Sequence, residues 1–224
     1  MINLYINYYK TDDKERQSEI DFCFDHNLNN PMINRMIVFS NETLADGVIH
    51  IKKDRPTYQD IFNEAAKYPD DINIICNSDI YFDETLKAVE RIRQNQFYAL
   101  TRWEQTETGI DSFFRVHHVK PEWSQDTWIF RDCGKIKGLD QVIATNLVTN
   151  KLETIPYTLG IPGCENHLAW LAKNRFGYHV TNPSLTIRTI HVHKERFRPD
   201  PKYRVRGSHG GGTWGNLMRV MQTL

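Results

Sequence analysis

Short apolar runs alternate with polar, charged stretches along the amino-terminal half of the chain. Ile2 to Ile6 is rich in β-formers, and the charged segment after it, headed by Asp12 and Glu15, predicts a helix ending near Leu28. Met36 to Phe39 and Val48 to Ile51 are two further short apolar runs. Pro56 then marks a boundary, Thr57 stands as an N-cap, and Ile61, Phe62, Ala65 and Ala66 recur at helical spacing. Ile72 to Cys76 predicts a buried strand, Asp83 to Gln94 a helix, and Phe97 to Leu100 the next strand. Beyond Arg102 the rhythm changes: Phe113 to Val119, Thr127 to Phe130 and Leu185 to His193 predict strands, and Cys164 to Asn174 a helix.

Alternating β and α segments predict an α/β chain with a mainly parallel central sheet flanked by helices and a small α+β C-terminal half. In such sheets ligands gather beyond the carboxyl ends of the strands. A length of 224 residues with 40% hydrophobic content suits one compact unit, expected over residues 1–198. Residues 199–224 are basic and carry Gly210-Gly211-Gly212, which sets them apart as a tail.

Charge narrows the partners: 28 Lys and Arg balance 28 Asp and Glu, so no long-range field draws the chain to nucleic acid, and partners must be sought at local sites. No stretch approaches the roughly 20 apolar residues that span a bilayer, and the start lacks a targeting pattern, so a cytoplasmic location is expected. Cys23, Cys76, Cys133 and Cys164 form no C-x-x-C pair and read as reduced, packed thiols.

The most informative segment is Ile72 to Asp83, where polar oxygen ligands follow an apolar strand directly. Asn77 and Asp79, one residue apart in an extended turn, point the same way and can face a divalent cation; hard oxygen ligands suit magnesium or manganese. The competing reading is an Asx-turn followed by Asp83 as a helix cap, which needs no metal. His191 and His193 share one strand face, so either could reach the same cation. Glu165 lies in the first turn of the Cys164 helix, where the dipole favours an ionised carboxylate. Asp126, with Gln125 and Trp128, suits hydrogen bonding and stacking to a sugar; the competing reading is a turn before an ordinary core strand with Trp128 packed inward. Arg55 and Arg102 follow strands on the ligand side, and Lys194, Arg196 and Arg198 follow the histidine pair; all could meet phosphate oxygens. Tyr8 or Tyr9, after the first strand, could stack on a nucleotide base.

In order, Arg16-Gln17-Ser18-Glu19-Ile20-Asp21, Asn77-Ser78-Asp79-Ile80, Ser124-Gln125-Asp126-Thr127-Trp128, Gly163-Cys164-Glu165-Asn166 and His191-Val192-His193 resemble a small GT-A glycosyltransferase family of large DNA viruses and some bacteria. One such relative is the amino-terminal domain of a chlorovirus protein. The similarity runs from Met1 to about Arg198, with Asn77-Ser78-Asp79 standing where the family has D-x-D. Asn in place of the first Asp leaves direct ligation by residue 77 open. The resemblance implies a UDP-sugar donor, Mn2+ or Mg2+ on Asp79 with a late histidine, and a glycan or glycoprotein acceptor. It also implies Glu165 as the base in an inverting transfer and, for a viral chain, the host cytoplasm.

Two rival readings share parts of this site. A sugar-phosphate nucleotidyltransferase would want a Gly-rich first loop, whereas Asn7-Tyr8-Tyr9-Lys10-Thr11 has no glycine to admit phosphate to the backbone. A non-catalytic nucleotide- or glycan-binding module would keep the fold and use Asn77 without a metal.

Overall fold

The computed structural model describes residues 1–44, 46–119, 124–192 and 201–205. The chain begins β1 (Ile2–Asn7), α1 (Lys14–Leu28), β2 (Arg35–Ser40), β3 (Ile49–Lys52), α2 (Tyr58–Ala65), β4 (Ile72–Cys76) and β5 (Ile80–Phe82). A 3-10 helix (Glu84–Arg91) leads to β6 (Gln96–Leu100), β7 (Trp103–Thr106), β8 (Gly109–Ser112), α3 (Phe113–Val116) and β9 (Thr127–Phe130). Then come β10 (Gln141–Asn146), β11 (Lys151–Pro156), α4 (Cys164–Asn174), β12 (His179–Thr181), β13 (Thr189–His191) and β14 (Tyr203–Val205).

This is a mixed α/β fold. The seven-stranded sheet has the order β12-β6-β9-β4-β1-β2-β3. Its pairs are parallel except at β9, which runs antiparallel to both β4 and β6, so the expected mainly parallel sheet is mixed. β11-β10-β14 is antiparallel, and β5-β13-β7-β8 is again mixed. No described helix is long and apolar enough to cross a membrane.

Period-two alternation divides the core. Tyr5, Ile37, Ile75 and Trp128 point to one face of the large sheet, where Ile61 and Phe62 of α2 and Leu168 and Ala172 of α4 cover them. Leu4, Ile6, Val38 and Ile74 point to the other, under Ile20 and Phe24 of α1 and Leu86 and Val89 of the 3-10 helix. All four cysteines are buried free thiols.

Local chemistry explains the helix starts. Thr57 forms a capping box with Asp60. Asp13, rather than Asp12 or Glu15, caps α1, its carboxylate accepting from the N–H groups of Glu15 and Arg16. Asp83 caps the helix expected after it, which is a 3-10 helix over Glu84–Arg91. Phe113 to Val119 does not form the expected strand: Ser112 takes the N-cap position of the short helix α3. The expected strand from Leu185 shortens to Thr189–His191. Tyr203–Val205, set apart with the tail, pairs with β10 and so belongs to the fold.

Candidate functional site

β1 has β2 on one side and β4 on the other, so connections leave it in opposite directions and a crevice opens beyond its carboxyl end. Side chains tie the crevice walls together. Ser78 Oγ donates to the Asn7 carbonyl, and Asn7 Nδ2 donates to the Phe39 carbonyl at 3.0 Å and the Asp54 carbonyl at 2.6 Å.

Two cavities meet there. One, of about 470 Å³, is lined by Asn7, Tyr9, Lys10, Arg16, Arg55 and their neighbours; the other, of about 530 Å³, by Arg102, Phe113, Asp126, Glu165, His191 and Arg204 among others. Asn77, Asp79 and Gly160 line both. Asp79 therefore stands at the junction.

Asp79 is buried, 5% exposed, yet solidly ionised. Burial alone would raise its pKa, but His191 and Arg16 hold it well below the usual carboxylate range. Oδ2 lies 2.8 Å from an Arg16 guanidinium nitrogen and 3.1 Å from His191 Nε2, while Oδ1 is buried without a protein partner. A buried unpaired carboxylate oxygen is costly unless a ligand meets it.

Behind Asp79 runs a polar relay. His191 Nδ1 sits 2.8 Å from Glu104 Oε2, and Glu104 Oε1 meets Arg102 Nε at 2.7 Å and His117 Nε2 at 3.2 Å. Burial opposes charge on His191, yet Asp79 and Glu104 lift its pKa to about 9; in turn His191 and Arg102 overcome the effect of burial on Glu104 and bring it to about 2. A histidine whose Nδ1 is fixed by a carboxylate is oriented to offer Nε2 to a cation. Cis ligands on an octahedral ion at about 2.1 Å stand about 3 Å apart, close to the 3.1 Å between His191 Nε2 and Asp79 Oδ2. Asp79 and His191 could thus hold a divalent cation, displacing the Nε2 proton. Among the described residues no group of three or more His, Cys, Asp or Glu forms a metal cage, so ligand oxygens would have to complete the shell.

Asp126 lines the second cavity with both oxygens engaged. Asn77 Nδ2 donates to Oδ1 at 2.6 Å; Arg102 at 3.2 Å and Ser124 Oγ at 2.6 Å donate to Oδ2. It aligns Asn77 and Arg102 rather than presenting a free carboxylate. Glu165 follows the left-handed Gly163 (φ 86°), a conformation that glycine adopts without strain, and its carboxylate turns back to accept the Gly163 N–H at 3.0 Å. Burial, with the Asp126 charge adding to it, raises its pKa to about 7, so the expected fixed ionisation does not hold: desolvation outweighs the helix dipole.

Other expectations shift in place. Tyr8 is buried in the core, its ring edge on Phe24 and its hydroxyl bonded to Asp21 at 2.6 Å, so it cannot stack on a ligand; Tyr9 lines the first cavity instead. Trp128 packs inward against Tyr58 and offers no sugar platform. Arg55 is exposed at the rim of the first cavity, and Arg102 lines the second. His193, Lys194, Arg196 and Arg198 lie outside the described residues.

Glu104, and the pairing of Arg16 with Asp79, are what sequence reasoning missed. Arg16 had a signal: with Glu19, Ile20, Cys23 and Asn27 it continues the buried stripe of α1, and a cation in such a stripe needs a buried counter-charge. Glu104 had none, lying in a polar strand whose pairing with β13 alone brings it to His191.

No family model matches the chain, and no curated protein matches it. Among solved structures, a mycobacterial protein is similar at 13% identity, over 88% of this chain and 68% of that one, with a TM-score of 0.41.

Proposed function

We propose that this chain is a GT-A-type glycosyltransferase that moves a sugar from a nucleotide-diphosphate donor, a UDP-sugar, to a hydroxyl of a glycan or glycoprotein, with Mn2+ or Mg2+ gripped by Asp79 and His191. The observation that carries this reading is Asp79: a buried carboxylate with one unbonded oxygen where two polar cavities meet. The cation would offset the charge developing on the departing diphosphate.

The protein's own side chains divide the remaining work. Lys10, Arg16 and Arg55 give the first cavity a cationic lining suited to phosphate oxygens, and Tyr9 offers a ring to the base. Replacing Tyr9 by Ala is expected to weaken UDP binding by about 1–3 kcal/mol, read by titration calorimetry. An unchanged affinity would remove Tyr9 from the nucleotide site.

In the second cavity Glu165 takes the proton of the acceptor hydroxyl. The hydroxyl oxygen bonds to the anomeric carbon as the bond from that carbon to the diphosphate breaks, its electron pair leaving on the phosphate oxygen. A proton acceptor with a pKa of about 7 suits this role near neutral pH. Glu104 holds His191, and Asp126 holds Asn77 and Arg102.

One observation favours a second reading, the non-catalytic binding module: Arg16 already neutralises Asp79 without a metal. Calorimetry with UDP separates the two. A transferase of this kind should bind UDP with manganese and lose most of that affinity in chelator. Equal binding in both, with no sugar released from any UDP-sugar, would favour the module.

A further inference from the structure

The second cavity is lined by the acids Asp79, Asp126 and Glu165 and by the cations Arg102, His191 and Arg204. All but one of these already have partners in the protein. Asp79 meets Arg16 and His191, Asp126 meets Arg102, Arg102 and His191 share Glu104, and Glu165 accepts the Gly163 N–H. Arg204 is the exception. Among the described residues its guanidinium makes no ion pair and no hydrogen bond, and it is held in place by the backbone ladder of β14 on β10. A half-buried cation facing a cavity without a counter-charge is unfavourable until an anion meets it.

A second polar group waits beside it. Asn166, in the first turn of α4, lines the same cavity, and its Oδ1 is buried with no donor in the protein. Such an oxygen needs a ligand hydroxyl to satisfy it. The Val205 N–H donates to the Pro162 carbonyl at 2.9 Å, so β14 and the turn that opens α4 are neighbours. A guanidinium fork for an anion and an amide oxygen for a hydroxyl are together the complement of an acidic sugar.

Charge and position narrow the ligand. One unpaired cation balances one negative charge, which suits a carboxylate; a phosphate monoester, close to a dianion, would leave excess negative charge near Asp126 and Glu165. Lys10, Arg16 and Arg55 already serve the first cavity, and Arg204 does not line it, so the donor diphosphate does not require Arg204. Arg204 instead shares its cavity with Glu165. Building on the transferase reading, we infer that the acceptor is an acidic glycan whose uronate carboxylate pairs with Arg204 and whose hydroxyl donates to Asn166 Oδ1.

Ligand-observed NMR titrations of the protein with methyl glucuronide and methyl glucoside test this. The wild type is expected to bind the glucuronide at least about tenfold more tightly, Arg204→Gln to bind the two alike, and Arg204→Lys to keep part of the preference, since the charge stays while the fork is lost. Asn166→Ala should weaken both glycosides equally, because they share the hydroxyls. The Arg204 variants should melt with the wild type, since no protein partner of the side chain is removed. Absence of glucuronide binding, or the same preference in wild type and Arg204→Gln, overturns the inference. So does a loss of affinity in Arg204→Gln for UDP-glucuronate but not for methyl glucuronide, which would put the carboxylate on the donor. Glucuronide binding that depends on Arg204, with no transfer from any UDP-sugar, would instead fell the transferase and leave the carboxylate site standing.

Discussion

Asp79→Asn is expected to lower turnover of a UDP-sugar by at least about 10³-fold at saturating manganese, while the protein stays folded. Asn keeps the shape of the side chain but removes the charge that faces both cavities. Arg16 retains Glu19 at 3.3 Å and His191 retains Glu104, so neither buried cation is stranded. The alanine variant is the poorer test. Asp79 is buried, and breaking a buried pair by removing one partner costs about 3–5 kcal/mol, which would mix unfolding with lost chemistry. Initial rates paired with denaturant unfolding separate the two effects. Turnover within a few-fold of wild type would remove Asp79 from the reaction.

Glu165→Gln should slow the chemical step by about 10²–10⁴-fold in single-turnover experiments and leave the UDP dissociation constant unchanged, because proton transfer is realised only in the transition state. The wild-type rate should climb as pH rises through about 7 and then level, since only the ionised carboxylate accepts a proton; the variant should lack this limb. The product anomer should be inverted relative to the donor. Equal loss of donor affinity would make Glu165 a binding group, and a retained anomer would end its role as base.

The same group links pH to stability. Its folded pKa of about 7 lies above its ordinary value of 4.5, so between these values the native chain keeps a proton that the unfolded chain releases. Stability should therefore fall as pH rises across that window, on the order of 1–3 kcal/mol, and the Gln variant should not share this dependence.

Strands buried on both faces announce themselves, because every residue must be apolar or locally satisfied. Ile72–Cys76 and Thr127–Phe130 stand in the structure where their apolar runs put them. Cys164–Asn174 also matches its helical pattern, and Thr57 its capping signal. The β7–β8 and β10–β11 hairpins gave no such signal: their strands are polar or half-exposed and take their conformation from the strands beside them. Direction along the sheet was equally illegible, since the apolar run of β9 reads the same parallel or antiparallel.

The linear chain thus carried the rhythm of elements, the polar turn at the end of β4 and the acid at the head of α4, because propensity, capping and burial act over a few residues. It did not carry the electrostatics of the site. Asp79 meets His191 across 112 positions, and His191 meets Glu104 across 87, through pairings that sheet order creates. Tyr8 and Tyr9 show the same division at one step: both are aromatic after β1, and the packing of α1 buries one and leaves the other to the cavity. Folding also raised the pKa of Glu165 into the neutral range, where the helix dipole alone would keep it low, because desolvation depends on everything packed around a carboxylate, whereas the helix dipole is a property of its own segment.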